Sequence, residues 1–286
     1  MQAGISELVE DTAAHWDTLQ ALRLTRNVAE LDVLGYTIIP PDVVGDAALM
    51  TAAKSRIVAL AEAAGAVSKD FTTYQEGLSF ELYHLIKQGE VFEQLLVNPA
   101  ILALGRYLLG NSMILNNSLA YVKGPTDKYL RMHCDTLTVP DPLPEYRHLV
   151  NFTLVLTDYS RDGGCIGIVP GSHRYRRHPT ATEAVDYSYM HPIECPAGSV
   201  IVIPGNTWHG AFPKKTKDLR VTLVQAYSRI YLAPYVTHDI SAEILKRNGP
   251  DFARILGREL WTAYDEHGPD LEKFARTYRT QRSHLA

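Results

Sequence analysis

The chain contains few cysteines and no long apolar run. Its 286 residues include three cysteines, Cys134, Cys165 and Cys195, none in C-x-x-C spacing. This pattern argues against a disulfide framework and a zinc ribbon, and it favours a reducing, cytoplasmic setting. Because no stretch approaches 18 apolar residues, we expect no membrane helix. The first ten residues lack the basic and apolar regions of a signal peptide, so we expect none.

The sequence also lacks an excess of positive charge. Its 28 basic and 32 acidic residues give a formal net charge of −4. The strongest basic cluster, residues 214–217, is typical of a solvated turn between strands. Without a basic stripe, nucleic acid is not an expected partner. The hydrophobic and charged fractions, 46% and 21%, are those of a folded globular protein.

Two kinds of hydrophobic pattern divide the chain. Helical spacing predicts helices over 5–34, 46–65, 81–88 and 91–109, a short strand over 35–40 and a loop over 68–80. From about residue 113, short β-branched runs alternate with turns, which predicts strands over 113–123, 149–157, 166–169, 199–203 and 220–228. We predict a mainly β protein with helices (α+β), whose core is a double-stranded β-helix of the jelly-roll or cupin type.

No repeat, low-complexity segment or linker divides the sequence, so we predict one domain over 1–286. Within it, residues 1–110 form a mainly helical layer and lid, 111–230 the jelly-roll core, and 231–286 a helical tail. The charged tail is a candidate surface for a homodimer.

A histidine and an aspartate two positions apart carry the main chemical signal. In a strand, His133 and Asp135 would project to one face, while Cys134 would point away. A second histidine, His209, follows 76 residues later, after a strand-like run and a Pro-Gly-Asn turn. Two histidines and one carboxylate hold one face of a non-heme Fe(II) ion and leave positions open for O2 and a cosubstrate.

An arginine begins the last predicted strand. Arg220 lies 11 residues after His209, and Thr222 shares its face by the two-residue period. An arginine that points into an apolar barrel is costly unless it meets an anion. A guanidinium with a neighbouring hydroxyl suits a carboxylate, so the pair predicts a dicarboxylate anchor. The alternative is a surface arginine at the start of a strand.

With these motifs in order, the sequence resembles the phytanoyl-CoA dioxygenase family of Fe(II)/2-oxoglutarate-dependent oxygenases. The resemblance extends from about residue 30 to residue 230. The matching segments are Gly35-Tyr-Thr-Ile-Ile-Pro, the helix from Phe92 to Gly110, His133-x-Asp135, Asp162-Gly-Gly-Cys165, Val169-Pro-Gly-Ser-His173, and Trp208-His209 with Arg220-x-Thr222. The turn that leads into Pro-Gly-Ser-His is the most family-specific of them.

The resemblance implies roles for these residues and for others. Fe(II) is bound by His133, Asp135 and His209, and the distal carboxylate of 2-oxoglutarate by Arg220 with Thr222. Residues near the cosubstrate are Asn116, with its neighbour Asn117 as the alternative, and Asn151 and Thr153. His173 has a structural role. Because family halogenases lack the carboxylate that Asp135 supplies, halogenation is disfavoured.

The expected reaction uses O2 and 2-oxoglutarate to oxidise a C–H bond, with hydroxylation as the default and succinate and CO2 as coproducts. The expected substrate is a free small molecule, such as a secondary metabolite, because no basic cluster is evident for the phosphates of coenzyme A. Candidate substrate contacts are Tyr74, Phe80, Leu137 and Trp208. Two alternatives stay open: a cupin-type metal enzyme without 2-oxoglutarate, and a non-catalytic binding module on the same fold.

Overall fold

Two antiparallel β-sheets face each other at the centre of the protein. The computed structural model describes residues 2–67, 77–258 and 264–272. One sheet has six strands in the order β1-β8-β5-β10-β3-β2, and the other has four in the order β4-β9-β6-β7. Their bounds are β1 Thr37–Ile39, β2 Ser79–Leu82, β3 Ile114–Lys123, β4 Leu130–His133, β5 Leu149–Val155, β6 Ile166–Ile168, β7 His191–Pro192, β8 Val200–Pro204, β9 His209–Ala211 and β10 Arg220–Ser228. The predicted α+β fold with a jelly-roll core is confirmed.

Helices cover the outer face of the six-stranded sheet. They are α1 Gln2–Ala21, α2 Thr25–Leu34, α3 Pro41–Val44, α4 Ala47–Ala63, α5 Glu90–Leu95, α6 Pro99–Leu109, α7 Ala242–Arg247 and α8 Pro250–Ile255, and a small hairpin, β11 Tyr264–Asp265 and β12 Gly268–Pro269, follows. In the described part of the chain, no helix has the length and hydrophobicity needed to cross a bilayer.

Two predicted helices are each divided in the structure. The helix expected over 5–34 breaks where Arg23 adopts a left-handed conformation (φ 58°) and Leu24 turns into the core. The helix expected over 91–109 breaks at Asn98, whose side-chain oxygen accepts hydrogen bonds from the backbone N–H groups of Ala100 and Ile101. This cap, followed by Pro99, begins α6 as a separate helix.

The helix predicted over 81–88 is wrong. Residues Ser79–Leu82 form β2, which pairs with β3 at the edge of the large sheet, and a 3-10 turn follows at Leu85–Gln88. On β2, Phe80 and Leu82 pack against the helical core, whereas Glu81 points to the opposite face. The hydrophobic periodicity of so short a run does not distinguish a helix from a strand, and pairing with β3 makes it a strand. The loop predicted over 68–80 lies mostly outside the described residues.

The six-stranded sheet is buried on both faces. Its outer face packs against the helices through Phe152, Val202, Leu223 and similar side chains. Its inner face meets the four-stranded sheet through a smaller apolar cluster around Ile201 and Ile203. The inner face also carries polar side chains where β3, β5 and β10 lie side by side, and there the interior holds a cavity rather than a packed core.

A close contact at Gly35 ties the helical layer to the small sheet. Gly35 has φ +79°, and a Cβ atom there would lie 2.2 Å from the ring Nδ1 of His173. Only glycine accepts both the backbone conformation and the contact. His173 is buried, with its Nε2 3.3 Å from the carbonyl of Asp32, which fits the predicted structural role.

Candidate active site

The two histidines and the aspartate meet at one end of the small sheet. His133 is the last residue of β4 and pairs directly with His209, the first residue of β9. Asp135 follows β4 in a bend, with its carboxylate oxygens 3.5 Å from Nε2 of His133 and 3.4 Å from Nε2 of His209. The three ligand atoms lie within 4.8 Å of one another. A single metal ion can therefore contact all three side chains.

Backbone carbonyls set the orientation of both imidazole rings. Nδ1 of His133 donates to the carbonyl of Arg131 at 2.9 Å, and Nδ1 of His209 donates to the carbonyl of Thr207 at 3.0 Å. With the proton on Nδ1, each Nε2 keeps its lone pair for a metal. Burial lowers the pKa of His209, which favours the neutral, metal-binding form of that ring.

The aspartate is held by the large sheet. Asn151, on the inner face of β5, donates a hydrogen bond from its amide to Oδ2 of Asp135. Burial alone would raise the pKa of Asp135, but His209, His133 and the Asn151 amide together lower it. The carboxylate is therefore ionised, as a metal ligand must be. The hydroxyl of Tyr235 also donates to the backbone carbonyl of Asp135, at 3.2 Å.

A cavity of about 310 Å³ extends from the three ligands between the two sheets, and we call it the metal chamber. Arg220 and Thr222, from the inner face of β10, line its other part. Arg220 is 9% exposed, its Nε has no hydrogen-bond partner, and no carboxylate of the described residues forms an ion pair with it. A buried cation left in this state needs an anion from outside the protein.

Two further side chains complete the surroundings of Arg220. Tyr159 places its ring 5.5 Å from the guanidinium carbon, and its hydroxyl is 2.6 Å from that of Thr222. Lys123 pairs with Arg220 across β3 and β10 and also lines the metal chamber. Burial and, second, the charge of Arg220 lower the pKa of Lys123. Two cations and two hydroxyls thus converge on one end of the chamber, as a bound carboxylate requires.

The donor set fits a catalytic non-heme iron. It has two nitrogens and one oxygen and no thiolate, and it occupies one side of the ion while the metal chamber opens on the other. A closed structural zinc site would surround the ion with four protein ligands, commonly thiolates. The orphaned Arg220 at the far end gives a place for the second carboxylate of a chelating dicarboxylic acid.

A family model confirms the relationship that these motifs indicate. The phytanoyl-CoA dioxygenase model matches residues 31–222, about two thirds of the chain. The chain belongs to the phytanoyl-CoA dioxygenase family. The match includes the three candidate metal ligands, Arg220 and Thr222, and the helices and strands between.

Named relatives in this family are distant in sequence. Dioxygenase af480 of Aspergillus fumigatus is 26% identical over 156 residues, 54% of this chain and 49% of the relative. Ectoine dioxygenase of Stutzerimonas stutzeri is 23% identical over 223 residues, 68% of this chain and 74% of the relative. The alignment with af480 therefore spans only about half the length of that relative.

Among solved structures, HygX from Streptomyces hygroscopicus with nickel and 2-oxoglutarate bound has a TM-score of 0.60 to this chain. The identity is 16%, and the superposition covers 77% of this chain and 93% of HygX. At this identity the likeness establishes the family fold, whereas the chemistry depends on the side chains themselves.

The structure brings most of the predicted cofactor residues together, with one exception. Thr153 lines the metal chamber, as do Asn151 and the residues already described. Asn116 does not. It is the extra residue of a bulge in β3, and its amide is used by Ser228, Ala233 and Tyr235. Its role is to anchor the segment that follows β10.

The neighbouring Asn117 lies on the inner face of the sheet, although it is not among the residues that line the metal chamber. Asn117 pairs with Ala226, which pairs on its other side with Asn151, so the three share a row on the inner face. The buried Oδ1 of Asn117 has no hydrogen-bond partner among the described residues. The bulge shifts the alternation of β3 by one residue and so exchanges the roles of the two asparagines.

The three predicted substrate residues that the structure describes do not line the metal chamber. Tyr74 lies outside the described residues. Phe80 packs against the helical core, and Leu137 is 69% exposed on the turn after the ligands. Trp208 is buried among the second core cluster and donates to the carbonyl of Arg177, because it points away from the side that its neighbour His209 faces. Neighbouring residues of a strand face opposite sides, so a position next to a metal ligand in the sequence does not place Trp208 in the chamber.

Sequence reasoning missed four residues with polar side chains that line the chamber: Glu81, Tyr121, Lys123 and Tyr159. A signal for two of them existed. Once β3 is taken as a strand ending at Lys123, Tyr121 and Lys123 share a face by the two-residue period. Glu81 and Tyr159 depend on pairing and loop geometry that the sequence alone does not specify.

Proposed function

We propose that this protein is a non-heme Fe(II)/2-oxoglutarate-dependent oxygenase that hydroxylates a C–H bond of a free small molecule. The observation that carries the proposal is one chamber with two different ends. His133, Asp135 and His209 present a three-ligand face at one end, and the unpaired Arg220 stands at the other. A metal-chelating dicarboxylate is the ligand that this combination fits.

In this proposal each residue has a defined task. His133, Asp135 and His209 hold Fe(II), and Asn151 fixes the orientation of the Asp135 carboxylate. Arg220, Thr222 and Lys123 bind the distal carboxylate of 2-oxoglutarate, with Tyr159 holding the Thr222 hydroxyl. When bound, iron and 2-oxoglutarate would supply activation of O2 and oxidation of the substrate carbon.

The surroundings of the ligands favour a dry reaction site. Ile166, Ile203 and Val224 contribute apolar walls to the chamber, and His209 is 8% exposed. Exclusion of water protects a reactive oxidant from side reactions and strengthens the contacts of Arg220 with an anion. The protein's part is thus to position two small molecules beside the iron and keep solvent out.

A small substrate fits the size and charges of the site. The metal chamber has about 310 Å³, within the range of small-molecule pockets. Three neighbouring arginines, Arg174, Arg176 and Arg177, could contact the phosphates of coenzyme A, but each has a protein partner. Arg176 pairs with Glu145, Arg177 pairs with Glu183, and Arg174 donates to the backbone carbonyl of Asp32. HygX is described with hygromycin B bound, and another relative is an ectoine dioxygenase, which supports a free small molecule here.

The test is an anaerobic titration of the metal-free protein with Fe(II) and 2-oxoglutarate. We expect the weak visible charge-transfer band of a chelated cosubstrate, and its loss in His209→Ala. Screening of candidate small molecules for succinate release would then identify substrates. A folded protein that binds Fe(II) but gives no band with 2-oxoglutarate would favour a cupin-type metal enzyme and refute the proposal.

A further inference from the structure

A second cavity of about 250 Å³, which we call the basic passage, adjoins the metal chamber at Arg220. The two cavities share Lys123, Leu130, Ala211 and Arg220 as walls. Beyond these residues the passage is bordered by residues exposed to solvent, among them Ser79 and Lys128. A cavity that reaches solvent therefore lies beside the end of the chamber that holds the proposed carboxylate anchor, away from the metal ligands.

The charge of the basic passage has one sign. Four cationic side chains line it, Lys123, Lys128, Lys214 and Arg220, and no carboxylate of the described residues does. Lys214 is neutralised by Asp218, with which it forms an ion pair at 2.8 Å. The other three have no carboxylate within ion-pair distance among the described residues. They form a row of positive charge from the surface to the anchor, and Glu81 in the neighbouring chamber offsets part of the charge of Lys123.

The metal chamber carries charges of both signs, because Lys123 and Arg220 line it at one end. It contains two carboxylates among its described lining residues, Glu81 and Asp135. Glu81 lies opposite Tyr121 across β2 and β3 and accepts a hydrogen bond from the hydroxyl of Tyr83. With Fe(II) bound, the charge of Asp135 would be offset by the metal, so Glu81 is the described carboxylate of the chamber that would repel an approaching dianion. The described lining of the passage contains no carboxylate, so the field of the protein favours that route.

We propose that the basic passage is a separate entrance for the dicarboxylate cosubstrate and an exit for the dicarboxylate product, distinct from the side on which the oxidised substrate meets the metal. This proposal rests on the proposed function. In it, Lys128 attracts the dianion from solvent, Lys123 receives it, and Arg220 with Thr222 binds its distal carboxylate. The substrate and the cosubstrate then reach the site without competing for one opening.

Two surface substitutions would alter the passage without changing the residues proposed to bind 2-oxoglutarate. Lys128→Glu reverses the charge at the outer end, and Ser79→Trp narrows the passage from β2, opposite Lys123. Lys246→Glu is the matched control, because Lys246 is exposed on α7 and lines neither cavity. Stopped-flow mixing of anaerobic Fe(II)-loaded protein with 2-oxoglutarate gives the association and dissociation rate constants, without catalytic turnover.

For Lys128→Glu we expect the association rate constant to fall about three- to tenfold at low ionic strength, with the loss shrinking in about 0.5 M salt as charges are screened. The dissociation rate constant should change little. For Ser79→Trp both rate constants should fall together with Kd unchanged, since a narrowed passage slows traffic in both directions. Lys246→Glu should match the unsubstituted protein.

Three results would overturn the proposal. One is unchanged association rates in both passage variants, which would place the entrance elsewhere. Another is a Lys128→Glu effect found only in dissociation, which would make Lys128 part of the bound state. The third is an equal fall of the association rate constant in Lys246→Glu, which would mean that only the net charge of the protein matters. If the unsubstituted protein binds no 2-oxoglutarate, the proposed function fails instead. If Ser79→Trp does not fold, the rate constants of Lys128→Glu alone test the proposal.

Discussion

Arg220 and Lys123 lie directly opposite each other on β10 and β3, and both side chains line the same chamber. Neither has a carboxylate partner among the described residues. Two like charges placed together in a buried site disfavour each other, and the pKa of Lys123 is lowered by burial and by Arg220. A bound dianion would offset the repulsion between the two cations and the cost of their burial. The pair therefore favours binding of an anion and does not stabilise the unliganded protein.

The first prediction concerns this pair. Arg220→Ala should weaken 2-oxoglutarate binding by about 2–4 kcal/mol, roughly 30- to 1000-fold in Kd, because a buried charge-assisted contact is lost. Lys123→Met should have a smaller effect in the same direction. Isothermal titration of the Ni(II)-loaded protein measures both, with Arg26→Ala, on an exposed side chain of α2, as the control. Unchanged affinity in Arg220→Ala would mean that the anchor is wrongly assigned.

The second prediction concerns the support of the metal ligand. Asn151→Ala removes the amide that orients Asp135, so metal affinity should fall about 10- to 100-fold, the usual cost of losing such a partner. Thr153→Val is the matched control, since Thr153 lines the same chamber from the same strand without bonding to Asp135. Equal Fe(II) affinity in the two variants, measured anaerobically by competition with a chelator, would contradict the role of Asn151.

The third prediction separates two adjacent asparagines. Asn117→Ala should change the affinity for 2-oxoglutarate and leave the free energy of unfolding nearly unchanged, because the Oδ1 atom of Asn117 has no protein partner. Asn116→Ala should do the reverse and lower stability by about 1–3 kcal/mol, since Asn116 bonds to Ser228, Ala233 and Tyr235. Chemical denaturation and titration on both variants measure the two effects. The opposite assignment of effects would refute the bulge argument.

The fourth prediction concerns acid stability. Burial lowers the pKa of His173 to about 4, below the ordinary value of 6.5. As the pH falls below 6.5, the unfolded chain takes up a proton at this position before the folded protein does. The free energy of unfolding should therefore decrease between pH 6.5 and about 4, by at most about 1.4 kcal/mol per pH unit from this residue.

A substitution isolates that contribution. His173→Gln should flatten the dependence of unfolding free energy on pH in this window, whatever its effect on stability at pH 7. His191→Gln, at an exposed position on β7, should leave the slope as it is. Urea denaturation at several pH values compares the three proteins, and identical slopes for all of them would assign the pH dependence to other groups.

Local patterns in the sequence predicted the chemistry well. His133-x-Asp135 and Arg220-x-Thr222 are short spacings whose meaning depends only on the alternation of an extended chain, and their members share one chamber in the structure. Element boundaries were less accurate. The helix predicted over 81–88 is instead a strand and a 3-10 turn, because a four-residue run took its conformation from pairing with β3.

The sequence by itself determined the candidate metal ligands, the candidate carboxylate anchor and the α+β jelly-roll class, since those follow from residue identity and from periods of two and 3.6 residues. Only the tertiary structure decided that Asn117, not Asn116, faces the interior, because a bulge changes which side chains point inward. Only the tertiary structure, too, brought Glu81, Lys123 and Tyr159 to the same chamber. Their convergence depends on strand order and register across distant segments, which no local spacing encodes.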